Sequence, residues 1–445
     1  MSSVSEKGDA SLFPCGKKGS VPFFACCVAL SGGVDSVWLL YRCWRLREAR
    51  PGLRLRAVHV HHGLLPQADA WLRHCESLCA RLDVPLEVIR LGLVPRPGES
   101  IEAAAREARY AALERLLEPG EALLTAHHQD DQLETVLLQL LRGAGVAGLA
   151  AMPGSRPFGR GHHLRPLLAM TRAAIVAEAR QAGLEWVEDP SNAAGRFDRG
   201  YLRREVVPAL RQRWPAAAAV VTRSASHLAE AQGLLDQLAA LDAAGSGDGG
   251  CLQVAPLLAL PRDRQANVLR WWLRGRGVGM PSTARLAAIQ DQLLPARGDA
   301  GPVVTWATGE VRRYRGRLYA MRPLQAVAGD GWELRPGEVL DVPGVGTLRL
   351  EPVVGSGISA VRCPGPFTVR LRQGGERLRL AGRSGKKPVR TLLQEAGIAP
   401  WLRERLPFLW HGDQLVAVAD LWLAAELTAA AGEAGWSVHW ARHAT

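Results

Sequence analysis

The sequence predicts an α/β protein: an N-terminal doubly wound parallel sheet, then a mainly helical domain, then a small α+β C-terminal domain. Three observations predict this. Residues 21–145 alternate short apolar, β-rich runs with segments whose apolar residues recur every three or four positions, the pattern of strands and crossover helices in a parallel sheet. Helical spacing then dominates residues 216–325. From Gly329 the texture changes to short strands separated by Gly and Pro turns. The expected boundaries are a polar, flexible leader at 1–20, the sheet domain at 21–215, the helical domain at 216–325, a strand-rich linker region at 326–365 and the C-terminal domain at 366–445.

The elements follow in order. Val21–Leu30 (VPFFACCVAL) is too short to cross a bilayer and reads as a buried strand. Helical spacing begins at Val37 (VWLLYRCWRL). Leu53–Val60 is a second strand, Ala68–Leu82 a helix, and Pro85–Leu91 a third strand. Ser100 can cap the helix Ile101–Leu117. Glu121–Ala126 is a fourth strand, followed by the helix Asp130–Arg142 with Leu133, Val136, Leu137, Leu140 and Leu141 as its buried stripe. A Pro/Trp break falls at Arg213–Ala216. Leu228, Ala231, Leu234, Leu235, Leu238 and Leu241 then mark an amphipathic helix that ends at Gly245–Gly250 (GSGDGG). Gly355–Gly365 has the composition of a linker.

The 445 residues hold ample core for two or three domains. No stretch has membrane length and no secretory signal is visible, so a cytoplasmic enzyme without a membrane partner is expected. The net charge is +12, carried mostly by Arg, which suits a polyanionic partner such as nucleic acid. The eight cysteines form no C-x-x-C pair. Cys75 and Cys79 share one helix face with Leu72 and Leu78, so buried thiols are expected rather than a zinc or iron–sulfur site.

In an open parallel sheet, ligands sit at the carboxyl ends of the strands. Three polar stretches fall there: Ser31–Ser36, His59–Gly63 and His127–Glu134. In SGGVDS, Gly32 and Gly33 remove Cβ atoms where a ligand must approach the backbone, and the following helix start favours an anion. The loop is not G-x-x-x-x-G-K-[ST], and the late GRSGKK (Gly382–Lys387) lacks that pattern's first glycine and its Ser/Thr. An Asp at position 35 in place of a lysine suggests a Mg²⁺ ligand, direct or through water. A ligand-free tight turn is the alternative.

His59, His61 and His62 in HVHHGL could be metal ligands, a loop touching a nucleobase, or a polar loop. Arg106 and Arg109 lie three apart on one helix face and could grip phosphates or simply be solvated beside Glu102 and Glu107. In TAHHQDDQLET, Asp130, Asp131 and Glu134 cluster at a helix start, where capping alone could place them. Facing a phosphate loop, the same acids could hold Mg²⁺ or attract an amino group. Arg196, Arg199, Arg203 and Arg204 suggest RNA backbone contacts, and so does the cationic loop Arg383–Arg390, which could also be merely solubilising.

SGGVDS resembles the pyrophosphate loop of the PP-loop ATP pyrophosphatases, which cleave ATP between its α- and β-phosphates and adenylate a substrate. Further motifs narrow the resemblance: HV-x-HGL, A-R-x-x-R-Y, H-x-x-D-D-x-x-E-T, R-P-L-L at Arg165–Leu168, D-x-S-N at Asp189–Asn192 and R-x-x-L-R at Arg199–Arg203. The stretch Val369–Trp422, with Glu376, Lys386, Lys387, Trp401 and Arg403, continues it. Together these resemble the tRNA(Ile)-lysidine synthetases over about residues 25–445. Gly200 stands where that family usually has Asn, which removes one polar contact.

The resemblance implies ATP and Mg²⁺ as cofactors. It implies free lysine and a CAU-anticodon isoleucine tRNA as substrates. The wobble cytidine would be adenylated on its C2 carbonyl oxygen and then converted to lysidine, which reads AUA instead of AUG. Ser31, Gly32, Gly33, Val34, Asp35 and Ser36, with His59, Val60 and Arg109, would bind ATP. Asp35 and Asp130 would hold Mg²⁺. Asp131 and Glu134 would dock lysine and, with Asp35, form the catalytic acids. Arg199, Arg203, Arg204, Lys386, Lys387 and Arg390 would bind tRNA. A homodimer is compatible with all of this. The rivals are another PP-loop ligase, such as a tRNA thiolase, and an RNA-binding protein with a relic nucleotide fold.

Overall fold

The computed structural model describes residues 24–61, 63, 67–92, 101–188, 198–245, 250–296, 301–327, 329, 331–383 and 385–443. The leader, His62, the Ser100 cap, Asp189, Ser191, Asn192 and Arg196 lie outside them. The chain divides into two compact units that meet in sequence between Leu234 and Leu235.

The first unit is built on a six-stranded sheet. Its strands are β1 (Ala25–Ala29), β2 (Arg54–His61), β3 (Leu86–Arg90), β4 (Ala122–Leu124), β5 (Ser155–Phe158) and β6 (Gly161–Leu164). Their order is β3-β2-β1-β4-β6-β5. All pairs are parallel except the β5–β6 hairpin. The helices α1 (Val34–Ala49), α2 (Ala68–Arg81), α3 (Ile101–Leu116), α4 (Gln129–Leu141), α5 (Val146–Leu149) and α6 (Arg172–Gln181) complete the fold.

The double winding follows from the two-residue period of a strand. Cys26, Val28, Leu55, Ala57, Ala122 and Leu124 pack with α1, α2 and α6 on one face. Cys27, Val58 and Leu123 point the other way, against Leu113 and Leu117 of α3 and its turn. Both faces are apolar, so the strands read as continuous apolar runs. The seven described cysteines are buried free thiols; burial pushes Cys26 and Cys75 up to about 12.

The stripe of α4 is shorter than its spacing suggests. Leu133 is fully buried against Val207 and Ala218, but Leu140 and Leu141 are exposed. Only the first turns of α4 are covered. A helical run follows: α7 (Asp198–Tyr201), a π-turn (Leu202–Val206), α8 (Val207–Arg213) and the long α9 (Ala217–Asp242).

In the second unit, α10 (Val254–Leu258), α11 (Arg262–Arg276) and α12 (Thr283–Ala288) pack with a four-stranded antiparallel sheet. Its strands are β7 (Leu252–Gln253), β8 (Val303–Trp306), β9 (Gly309–Tyr314) and β10 (Arg317–Met321). The region expected to be mainly helical therefore also carries strands. The stretch expected to be a strand-rich linker region holds β11 (Trp332–Leu334), β12 (Val339–Val342), β13 (Gly346–Val354) and β14 (Ile358–Ser359), the last inside the Gly355–Gly365 stretch whose composition reads as a linker. β13 pairs from Thr347 to Val354 with the strand Ala434–Ala441 near the chain's end. Long-range pairing of this kind leaves no local signature in sequence.

Candidate functional site

The strand order reverses direction between β1 and β4, so the crevice of this sheet opens at their carboxyl ends. The Ser31–Ser36 loop leaves β1 there. Gly33 is the N-cap of α1 and offers no side chain to cap it, which leaves first-turn amides free for an anion. Ser36 staples the loop. Its Oγ accepts from the Ser31 amide at 3.1 Å and donates to the Gly33 carbonyl at 3.0 Å.

Gly32 has φ +88°, and a Cβ there would lie 2.9 Å from Val187 Cγ2 and 3.3 Å from Cys75 Sγ. The Val187 amide also donates to the Gly32 carbonyl at 3.0 Å. We predict that Gly32→Val deforms the loop and weakens ATP binding about 10- to 100-fold, since left-handed strain and the collision each cost on the order of 1–3 kcal/mol. An ATP titration that matches the unmodified protein would contradict this.

Across the crevice, α4 starts at His128, whose amide donates to Asp131 Oδ2 at 3.0 Å. The buried His128 ring is a hub for three acids: Asp35 Oδ1 at 3.8 Å, Asp130 Oδ2 at 3.6 Å and Asp131 Oδ2 at 3.5 Å. Asp35 thus reaches from the phosphate loop to the start of α4. Burial pushes its carboxyl pKa up, opposed by His128 and Arg172. Its buried Oδ1 has no hydrogen-bond partner among the described residues. A desolvated, unsatisfied carboxylate oxygen beside a phosphate loop fits a divalent cation. Among the described residues no three His, Cys, Asp or Glu are placed to hold a metal by themselves. Mg²⁺ takes one or two carboxylates and completes its shell with phosphate oxygens and water.

The remaining acids are held by arginines. Glu134 is buried and takes a fork from Arg203, Nε to Oε1 at 2.7 Å and Nη2 to Oε2 at 2.9 Å. Arg199 Nε lies 3.1 Å from its Oε2, and Arg199 Nη2 donates to Thr135 Oγ1 at 2.8 Å. Asp130 accepts from the Arg172 amide at 2.7 Å and forms an ion pair with Arg211. Asp131 is the least committed acid, with Arg203 Nη2 at 3.5 Å. Burial acts to lower the Arg203 pKa, but Glu134, Asp131 and Asp35 outweigh it and raise it.

Asp35, Asp130, Asp131, Glu134, Arg199 and Arg203 are therefore brought together. Arg204 is exposed on the same turn. His59 is buried at the end of β2, with Nδ1 2.9 Å from the Leu30 carbonyl and 3.5 Å from Cys75 Sγ, and burial lowers its pKa. Neighbouring Val60 is partly buried. Arg109 stacks on Tyr110 at 5.4 Å. In the second unit, Lys387 pairs with Glu395 and Lys386 lies 3.8 Å from Glu426. Arg390 is exposed and makes no ion pair among the described residues. Sequence reasoning missed His128, Arg172, Arg211 and Val187. Only the doubled histidine before the acids hinted at the first.

Comparison with known proteins fits this geometry. A PP-loop domain family matches residues 17–210, a TilS substrate binding domain 252–319, and a TilS substrate C-terminal domain 367–440. The chain is 45% identical over 419 residues to the tRNA(Ile)-lysidine synthase of Methylococcus capsulatus, covering 93% of this chain and 95% of that one. It is 47% identical over 411 residues to the enzyme of that name from Alkalilimnicola ehrlichii, covering 91% and 92%. Among solved structures, the U34-tRNA thiolase NcsA from Methanococcus maripaludis aligns with a TM-score of 0.42 at 16% identity, over 50% of this chain and 78% of that one.

Proposed function

Because the chain belongs to the tRNA(Ile)-lysidine synthase family, matched along more than nine-tenths of its length, we propose the following chemistry for it as a PP-loop, ATP-using ligase. It joins free lysine to C2 of the wobble cytidine in a CAU-anticodon isoleucine tRNA. The observation that carries this reading is one crevice holding both a phosphate loop and, across it, the Asp131–Glu134 acids. A phosphate loop alone serves any adenylating enzyme. The acids add a place for a cationic amine.

The cytidine O2 attacks the α-phosphorus of ATP, and pyrophosphate leaves with the bonding electrons. Ser31–Ser36 holds the departing phosphates through backbone amides. Mg²⁺, when bound, would neutralise charge on that leaving group, and Asp35 would be its carboxylate ligand. Asp130 joins only if Arg211 releases it. The lysine amine, deprotonated by a general base, then attacks C2 and AMP departs. Asp131 makes the main contact to the ammonium form before reaction, with Glu134 behind it. Arg199 and Arg203 reach RNA only by giving up Glu134; Arg204 is a further backbone contact on that turn. A cytoplasmic enzyme remains our expectation, and a homodimer is compatible with it.

Labelled lysine should enter an unmodified CAU isoleucine tRNA transcript and not a methionine tRNA. Equal labelling of both would contradict the reading. In the second unit, Lys386→Glu with Arg390→Glu should weaken tRNA binding and lower its salt slope by roughly one per lost phosphate contact. An unchanged slope would remove that loop from the interface.

A further inference from the structure

Thr125, the residue after β4, sits at the centre of a hydrogen-bond chain. Its Oγ1 lies 2.8 Å from His127 Nδ1 and 2.8 Å from His163 Nε2. His163 Nδ1 lies 3.2 Å from Arg165 Nη2, and Arg165 Nη1 donates to the Pro153 carbonyl at 2.7 Å. His163, Arg165 and Thr125 are buried, and His127 is partly buried.

The direction of every bond follows from one fact: a guanidinium only donates. Arg165 gives a proton to His163 Nδ1, so that nitrogen is bare. The single ring proton of His163 then sits on Nε2 and goes to Thr125 Oγ1. The Thr125 hydroxyl proton has one remaining acceptor among the described residues, His127 Nδ1. Turning it elsewhere would leave a buried donor unsatisfied, which costs about 1–3 kcal/mol. His127 Nδ1 is therefore bare too, and its ring proton is on Nε2. No protein group among the described residues bonds that atom.

The surroundings agree. Burial, then Arg165, Arg106 and Arg109, lower His127 to about 3 against the pull of Asp131. Burial, then Arg165, Arg156, His127 and Arg106, do the same to His163. Arg106, Arg109 and Arg156 stack on Tyr110 at 5.2 to 5.9 Å, and none of these arginines has a carboxylate partner among the described residues. The basin is rich in positive charge, and an oxygen-rich anion completes it.

We propose that Arg165, His163 and Thr125 are positioning residues that fix His127 as a neutral hydrogen-bond donor, through Nε2–H, to a substrate oxygen in the crevice. Which oxygen rests on the function proposed above: the α-phosphoryl group, present in both steps. β4 lies next to β1, at the usual strand spacing of about 4.8 Å, so the residue after β4 flanks the phosphate beyond the loop. His127 keeps its proton throughout, as a neutral histidine does when it serves as a hydrogen-bonding electrophile. It is not the base that deprotonates lysine.

The test reads ring protons directly. In the full-length protein with ¹⁵N-labelled histidine, long-range ¹H–¹⁵N spectra should show His127 and His163 as neutral Nε2–H tautomers from pH 7 to 5. His127→Gln and His163→Gln assign the signals. An Nδ1–H tautomer or an imidazolium at His127 at pH 7 would overturn the proposal, whatever the enzyme's substrate. Arg165→Met removes the obligate donor. It should let both rings titrate above pH 5 and lower kcat about tenfold, a part of what one oriented donor contributes. Arg165→Lys, which also only donates, should recover part of that loss. If Arg165→Met folds and leaves the His127 tautomer and kcat unchanged, the positioning role is wrong. If it does not fold, the tautomers of the unmodified enzyme still decide.

Discussion

Asp35→Asn is expected to abolish AMP formation, with a fall of about 10³-fold or more, while the protein stays folded. Asn keeps the volume beside His128 and the start of α4. It removes the charge from a buried oxygen that no donor among the described residues satisfies. A cation that neutralises a leaving pyrophosphate acts mainly in the transition state, so its loss falls on kcat more than on ATP affinity. The checks are AMP release under saturating ATP and an ATP titration on the same protein. Near-normal turnover would show that Asp35 is a structural partner of His128 and nothing more.

Glu134→Ala is expected to raise the lysine requirement about 100-fold and also to destabilise the protein. Glu134 is buried and holds two guanidinium groups. Deleting it leaves Arg203 only Asp131 and Arg199 only Thr135, and because both guanidiniums are partly exposed the cost falls below the roughly 3–5 kcal/mol of a fully buried pair broken from one side. Asp131→Asn separates the two effects. Asp131 has one long arginine contact, to Arg203, and its other oxygen accepts from the His128 amide, a bond the Asn oxygen can keep, so its neutral form should raise the lysine requirement with little loss of stability. Initial rates against lysine at saturating ATP, with thermal unfolding alongside, measure both. Unchanged lysine dependence in both variants would remove the acids from the lysine site. Destabilisation of Glu134→Ala alone would leave Glu134 as a clamp for Arg199 and Arg203.

Much of the first unit was legible because periodicity is local. The alternation at Cys26, Cys27 and Val28 fixes a two-faced buried strand, and β1 to β4 fall within a few residues of their expected places. The β5–β6 hairpin was not legible: SRPF and GHHL are short and polar-rich, with no alternation to count. The pairing of β13 with the last strand was hidden for another reason, since its partner lies far along the chain. The site divides in the same way. The phosphate loop and the acids after β4 carry local signatures in residue type and spacing. Their partners do not. Arg211 on Asp130, and Arg199 with Arg203 on Glu134, are long-range pairs. From sequence Arg199 and Arg203 look like RNA contacts, because nothing local shows that a carboxylate already holds them.

The central claim is that one crevice couples ATP cleavage to lysine and to one tRNA. The measurement that tests it most directly is AMP release from ATP by the full chain with Mg²⁺, lysine and an unmodified CAU isoleucine tRNA transcript, omitting each in turn. The account predicts AMP only when ATP, lysine and that tRNA are all present, with methionine tRNA inactive in place of the isoleucine transcript. AMP release indifferent to lysine, or no AMP at all with bound ATP, would contradict it and point instead to another adenylating ligase or to an RNA-binding protein that has lost its chemistry.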